Sequence, residues 1–207
     1  MTSIGFPNAA QAFYHDLEED NSREFWVANK DRYDADVKAP LLAVAALLEE
    51  EFGKAKLFRP NRDVRFSADK SPYKTHQGVF VSVAPACGFY LEVNATEAIA
   101  VGGYYAAKPE ALARVRAAID DEATGSQLDD LLAGLLADGW LKTGDGVKTA
   151  PRGYSRQHPR IDLLRHTSLA AEREVVSESV EAFAAEVAVA WRRVAALIDW
   201  CAVRLRD

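Results

Sequence analysis

Three β-rich runs crowd into residues 78–106: "GVFVSVAPA", "GFYLEVNA" and "AIAVGGYYA". Gly, Pro and Asn bound each run, and the turns between them are short, as antiparallel neighbours require. This block limits the fold more than any other feature, because helical periodicity precedes it and returns after it. "PNAAQAFYHDLEED" reads as a helix with Asn8 as N-cap and Phe13 and Leu17 on one face. "NSREFWVANKDRYDADVKAP" reads as a second helix, capped by Asn21 or Ser22. Phe25, Trp26, Asn29 and Tyr33 mark its rich side, and Pro40 interrupts or kinks it. "LLAVAALLEEEFG" continues as helix to Gly53, and "KLFRP" can form a short strand.

Beyond the strands, Pro109 suits the first turn of "KPEALARVRAAIDDEA", and "GSQLDDLLAGLLADG" is a further helix ending near Gly139. "WLKTGDGVKTAPRGYSRQHPR" reads as a short hairpin about "GDG" followed by a loop. "IDLLRHTSLAAEREV" holds a short helix and an edge strand. A long terminal helix follows, with Ser177 as a candidate cap. Its apolar positions Val180, Phe183, Val187, Trp191, Val194, Ile198 and Cys201 recur at helical spacing. Core packing is the simpler account of that stripe, and a helical partner interface is the alternative. Helices, then clustered strands, then helices predict an α+β fold. Its antiparallel sheet should come from residues 55–105, with the N-terminal helices and the long C-terminal helix packed on it. The 207 residues suffice to bury roughly 70% of the unfolded surface, and a single domain over 1–207 is expected.

Hydrophobic residues make up 49% and charged residues 27% of the chain, as in soluble globular proteins. A net charge of −6 and a pI near 5.3 argue against a basic duplex-binding surface, so duplex nucleic acid is not the expected partner, while a local basic pocket stays allowed. No stretch is apolar enough to span a bilayer, and no secretory signal is visible. Cys87 and Cys201 lie far apart without CxxC spacing, so a reduced, cytoplasmic protein is expected. There is no phosphate-binding GxxxxGK[ST] loop, and "VGGYY" is not a dinucleotide fingerprint. His15, His76, His158 and His166 form no HExxH or Cys/His pattern, so no metal site and no cofactor are assigned, although magnesium on carboxylates leaves little sequence trace.

The chemistry-bearing stretch is "RDVRFSADKSPYKTHQG", residues 62–78. Arg59, Arg62, Arg65, Lys70 and Lys74 outnumber Asp63 and Asp69, and local basicity in an acidic protein can focus a small anion. Arginine offers a planar fork to carboxylate or phosphate, lysine a point charge, and Tyr73 a ring face and a hydroxyl. The structural alternative pairs Arg62 with Asp63 and Asp69 with Lys70, as internal partners of an irregular loop. "PRGYSRQHPR", residues 151–160, adds Arg152, Tyr154, Arg156, His158 and Arg160. Gly153 there can allow close backbone approach. His158 can titrate near neutrality or sit hydrogen-bonded in a Pro-rich turn. The two stretches, if they meet, would make one pocket with facing arginines.

On these residues the chain resembles a widespread family of conserved hypothetical proteins, a domain of unknown function. The matching features are "NSREFWVANKDRY", "RDVRFSADKSPYKTH", "VGGYY" before "KPEALARVR", and "APRGYSRQHPRIDLLR". The resemblance implies an intracellular α+β domain and brings no established reaction. It marks Arg62, Asp63, Arg65, Phe66, Ser67, Asp69, Lys70, Pro72, Tyr73, Lys74, Gly102, Gly103, Pro151, Arg152, Gly153, Tyr154, His158 and Pro159 as family-pattern positions. Two departures stand out: Phe25–Trp26 replaces the usual Trp–Phe, and "HTS" replaces a lysine expected after "LLR".

The leading expectation is therefore a protein that binds a small anionic ligand, a phosphorylated one included, through Arg62, Arg65, Lys70, Tyr73, Lys74, Arg152, Tyr154 and His158. If a reaction occurs there, His158 and Asp63 are the proton-transfer candidates. The alternatives are a non-catalytic interaction module with an ion-pair knot, or a single-stranded nucleic-acid contact through Tyr73 and Tyr154.

Overall fold

The computed structural model describes residues 5–63, 65 and 69–206. Helix α1 (Asn8–Glu19) is followed by α2 (Arg23–Ala28), α3 (Lys30–Tyr33), a π-helical turn (Asp34–Lys38) and α4 (Ala39–Phe52). Strands β1 (Ala55–Leu57), β2 (His76–Ala84), β3 (Cys87–Asn94) and β4 (Ala98–Tyr104) come next. Then follow α5 (Pro109–Asp120), α6 (Glu122–Ala137), β5 (Leu141–Thr143), α7 (Ile161–Arg165), β6 (Leu169–Glu174) and α8 (Val180–Leu205). The fold is α+β, with an antiparallel six-stranded sheet of order β1-β2-β3-β4-β6-β5. The sheet thus extends past residue 105 through β5 and β6, which pair with Leu141 opposite Glu172.

Several local features differ from the sequence expectations, each for a physical reason. Asn8 does not cap α1: the amides of Ala9 and Gln11 bond the carbonyls of Gly5 and Pro7, so the helix is already entered at Pro7. Ser22 caps α2 by accepting from the Phe25 amide at 3.0 Å. The expected second helix breaks at Asn29, whose backbone leaves helical values (φ −111°, ψ 14°) and whose side-chain amide shares the Phe25 carbonyl with its own backbone amide. Pro40 falls in the first turn of α4, directly after the π-helical turn, where a missing amide costs least. Ser179, not Ser177, serves α8 through the Ala182 amide. The "GDG" segment makes no hairpin of its own. Asp145 instead accepts from the amides of Thr167 and Ser168, and its own amide donates to Ser168 Oγ, which holds the segment beside residues 166–168.

By internal contacts the chain forms two compact units. The first comprises Met1–Val81, Tyr90–Ala100 and Glu174–Val189. Here β1 lies against β2 with Ala55 opposite Val81 and Leu57 opposite Val79. Its core is aromatic: the Phe13 ring lies 5.3 Å from Tyr14, 6.0 Å from Trp26 and 5.7 Å from Tyr33. Leu17 shares the buried face of α1 with Phe13.

The second unit comprises Ser82–Phe89, Val101–Arg173 and Ala190–Asp207. Trp140, Trp191 and Trp200 are buried there. A Cβ on Gly102 would stand 2.5 Å from Val194, so the strand–helix approach at β4 depends on that glycine. Along α8, Phe183 and Val187 of the first unit and Trp191, Val194, Ile198 and Cys201 of the second are each at most 1% exposed, so these positions of the stripe are core, whereas Val180 is half-buried. Cys87 is also fully buried and donates to the Ile198 carbonyl. A hydrogen bond with Cys87, together with burial, pushes the Cys201 thiol up, and both cysteine sulfurs are buried.

Candidate functional site

In the first unit, the residues flanking the charged stretch form a two-stranded ribbon. Asn61 bridges Tyr73, Arg62 N donates to the Pro72 carbonyl at 2.9 Å, and Lys74 N donates to the Pro60 carbonyl at 2.8 Å. Prolines at 60 and 72 fit because each contributes only an acceptor. Asn21 clamps the ribbon with two bonds, its amide donating to the Tyr73 carbonyl at 3.0 Å and its oxygen accepting from Tyr73 N at 3.1 Å. The Tyr73 ring is 8% exposed and stacks on Trp26, 4.1 Å between centroids and 10° from parallel. That ring face is therefore occupied from within the protein.

The charges of the stretch pair across the expected partners. Arg62 meets Asp69 at 2.5 Å, and Arg65 forms a two-point contact with Asp63 at 2.6 and 2.9 Å. Asp69 also accepts from the Ser71 amide in a tight turn. The Asp63 carboxyl is held below the usual range, first by the Arg65 guanidinium. A carboxylate so stabilised is a weak base, which counts against a proton-transfer role for Asp63. Arg65 is 75% exposed, so its pair with Asp63 lies in solvent. Arg65→Ala is expected to leave the melting temperature within about 2 °C of the parent, as for exposed ion pairs. Thermal denaturation followed by circular dichroism checks this.

Arg62 has a different setting. With Arg23, Asn61, Lys70, Pro72 and Tyr73 it lines a cleft of about 330 Å³. Among the described residues its buried Nε has no hydrogen-bond partner. Lys74 lies outside this lining, with Nζ 5.4 Å from the Phe58 ring centroid. Burial pulls the Lys74 ammonium below its ordinary value, and repulsion from Arg59 and Arg62 adds to that, so these cations are gathered closely enough to act on one another.

Beside the cations lies a polar group on β2 and β3. Tyr90 Oη donates to Glu92 Oε2 at 2.8 Å, and His76 Nε2 stands 3.8 Å from the same oxygen. Gly78 makes room for Tyr90: a Cβ there would lie 2.4 Å from the phenol oxygen. The side chains of Glu92 and His76 are 19% and 36% exposed. Burial, then Lys74 and Arg62, hold the His76 imidazole below its ordinary range against the attraction of Glu92. The signal for this group was the alternation of Tyr90, Glu92 and Asn94 along a strand whose other residues, Leu91 and Val93, are buried and apolar.

In the second unit, Arg160 is committed to structure: it bonds Asp129 at 2.6 Å, Ser126 at 2.8 Å and Glu122 at 3.0 Å. His158 Nδ1 accepts from the Arg160 amide at 3.0 Å, which leaves the proton on Nε2, 3.1 Å from Asp120. Both ring nitrogens are thus engaged, and acid–base work by His158 would require breaking a bond. Burial, followed by Asp120, raises the Tyr154 phenol. Arg152 is exposed.

A family model described as "Conserved hypothetical protein (DUF2461)" matches residues 9–200. The chain belongs to the DUF2461 family. No curated protein and no solved structure matched it. In this DUF2461 member, Gly103 presses on the backbone of Leu169 and Ala170. Nothing approaches Gly153, whose requirement is instead a left-handed φ of +94°. Phe66 and Ser67 lie outside the described residues. Among the described residues, no group of three or more His, Cys, Asp or Glu could hold a metal ion. Nor, among them, is any helix long and apolar enough to cross a membrane.

Proposed function

We propose that this DUF2461 protein binds a small anion, a phosphoryl-bearing molecule among the candidates, in the cleft beside Arg62. The observation that carries the reading is the buried, unpartnered Nε of Arg62 in a cleft also lined by Arg23 and Lys70. A buried donor without an acceptor costs about 1–3 kcal/mol, and an anion oxygen supplies that acceptor. Asp69 holds the guanidinium through Nη1 from one side. Arg59 and Lys74 add local positive field to a chain whose overall charge of −6 disfavours long polyanions.

The test is a titration with inorganic phosphate at two ionic strengths. Binding should weaken as salt rises, and Arg62→Ala should weaken it at least about tenfold at low salt. No phosphate binding by the parent would overturn the reading, and tight duplex DNA binding with a steep salt slope would favour nucleic acid instead. The internal ion pairs and the Asn21 clamp support a second reading, a structural knot in an interaction module. That reading requires Arg62→Ala to lower the melting temperature strongly while phosphate leaves the parent unchanged.

A further inference from the structure

We propose that the second unit carries a site for a small amino-acid zwitterion, with Arg116 receiving the carboxylate and Asp145 the ammonium. The inference is independent of the anion reading above, which concerns the first unit. A cleft of about 350 Å³ has one wall on α5, where Pro109, Leu112 and Arg116 line it. Spacings of three and four residues put these positions on one face of the helix. Asp145, just after β5, and Thr167 and Ser168, just before β6, also line it, and Ala106 and Ala107 complete the lining. The volume lies within the range of small-molecule sites, which begins near roughly 300 Å³. Ala106 takes a φ of +41°, a left-handed conformation that residues with a Cβ seldom adopt, and such strain gathers at ligand clamps.

The charges of this cleft are set in place but not consumed by the fold. Arg116 Nε donates to the Leu164 carbonyl at 3.0 Å, which anchors the guanidinium. Among the described residues Arg116 forms no ion pair, and its other donors have no partner. Asp120, one turn further along α5, stands 3.1 Å from His158 instead. Asp145 is the middle residue of "GDG". Its amide donates to Ser168 Oγ at 2.7 Å, and its carbonyl accepts from Thr167 N at 2.8 Å. A Cβ on Gly144 would lie 2.2 Å from the Ser168 carbonyl oxygen, so that glycine permits the close approach which fixes the Asp145 backbone. Among the described residues the Asp145 carboxylate has no hydrogen-bond or ion-pair partner, while the nearby Arg165 pairs with Asp162 at 3.0 Å. Opposite charges that line one small cleft without meeting suit a ligand that carries both. The planar fork of arginine matches a carboxylate, a carboxylate accepts from an ammonium, and Leu112 and Ala107 offer apolar surface to a short aliphatic chain. Asp145 repels a plain anion and Arg116 repels a plain cation, so the lining selects the zwitterion against both.

Glycine, β-alanine and 4-aminobutyrate are the probes, and each is paired with the carboxylate and the amine of the same chain length, which carry one charge apiece. Nuclear magnetic resonance titration of the isotopically labelled protein reads both affinity and place. At least one zwitterion should bind, with amide shifts centred on Leu112, Asp145, Thr167 and Ser168. It should bind at least about tenfold more tightly than either of its singly charged analogues, as the loss of one charge-assisted hydrogen bond implies. Asp145→Asn is the main variant, because that carboxylate makes no bond in the fold. It should weaken the zwitterion at least about tenfold and leave the carboxylate analogue bound no more weakly than by the parent. Arg116→Gln, checked for folding by circular dichroism, should weaken both. No shift with any zwitterion, shifts centred elsewhere, or a singly charged analogue that binds as tightly overturns the inference. Unchanged zwitterion affinity in Asp145→Asn overturns it as well, whether or not Arg116→Gln folds. Phosphate binding at Arg62 is read in a separate titration, so the two proposals stand or fall apart.

Discussion

Gly103→Ala is expected to cost about 3–5 kcal/mol and to leave little folded second unit at 37 °C. A Cβ at this position would lie 2.2 Å from the Leu169 carbonyl oxygen, 2.5 Å from the Ala170 Cα and 2.7 Å from the Ala170 Cβ. Two of those atoms are backbone, so no rotamer change relieves the clash. β6 cannot withdraw freely either, because its other edge is paired with β5. The φ of +157° adds a second cost, since L residues seldom take it. Overpacking a close-fitting core typically costs about 1–3 kcal/mol, and a backbone collision belongs at or above the top of that range. Gly139→Ala is the control: Gly139 has a φ of +80° but nothing within 4 Å of its Cβ. It should cost only the left-handed conformation, about 1–2 kcal/mol. Urea denaturation of both variants gives the comparison, and a Gly103→Ala cost no larger than that of Gly139→Ala refutes the close-approach account.

The central strands were legible because their signal is local: β-branched and aromatic residues between glycines, with turns too short for a crossover. β5 and β6 were harder. β5 spans three residues, two of them exposed, and its partner lies some thirty positions away. No local periodicity can mark such a pair. The break at Asn29 was hidden because helical periodicity continues on both sides of a side chain that competes for one carbonyl. The charged stretch announced its composition but not its partners. Arg62 reaches seven residues to Asp69 while Arg65 turns back two to Asp63, a choice set by the path of the loop. His76 and Glu92 were not singled out because each is ordinary in its own strand. Their meaning comes from the pairing of β2 with β3 and from cations delivered by another segment.

Tyr73→Ala should cost about 3–5 kcal/mol, the range for deleting a buried aromatic side chain. The ring is 8% exposed and lies flat on Trp26, which in turn packs 4.8 Å from Tyr33 and 6.0 Å from Phe13. Its removal opens a void against an aromatic stack whose other members are anchored on α1, α2 and α3. The two Asn21 bonds to the Tyr73 backbone survive, so the loss measures the ring. Tyr73→Phe keeps the stack and should stay within about 1 kcal/mol of the parent. Set beside Arg62→Ala, the pair divides one charged stretch by task. Arg62 has an unsatisfied donor in a cleft, so its loss should remove anion binding while the fold persists. Tyr73 spends its ring on the core, so its loss should lower stability first. A Tyr73→Ala protein that keeps parental stability yet loses phosphate binding would reverse the assignment, making the tyrosine ring a ligand contact and its stack on Trp26 incidental.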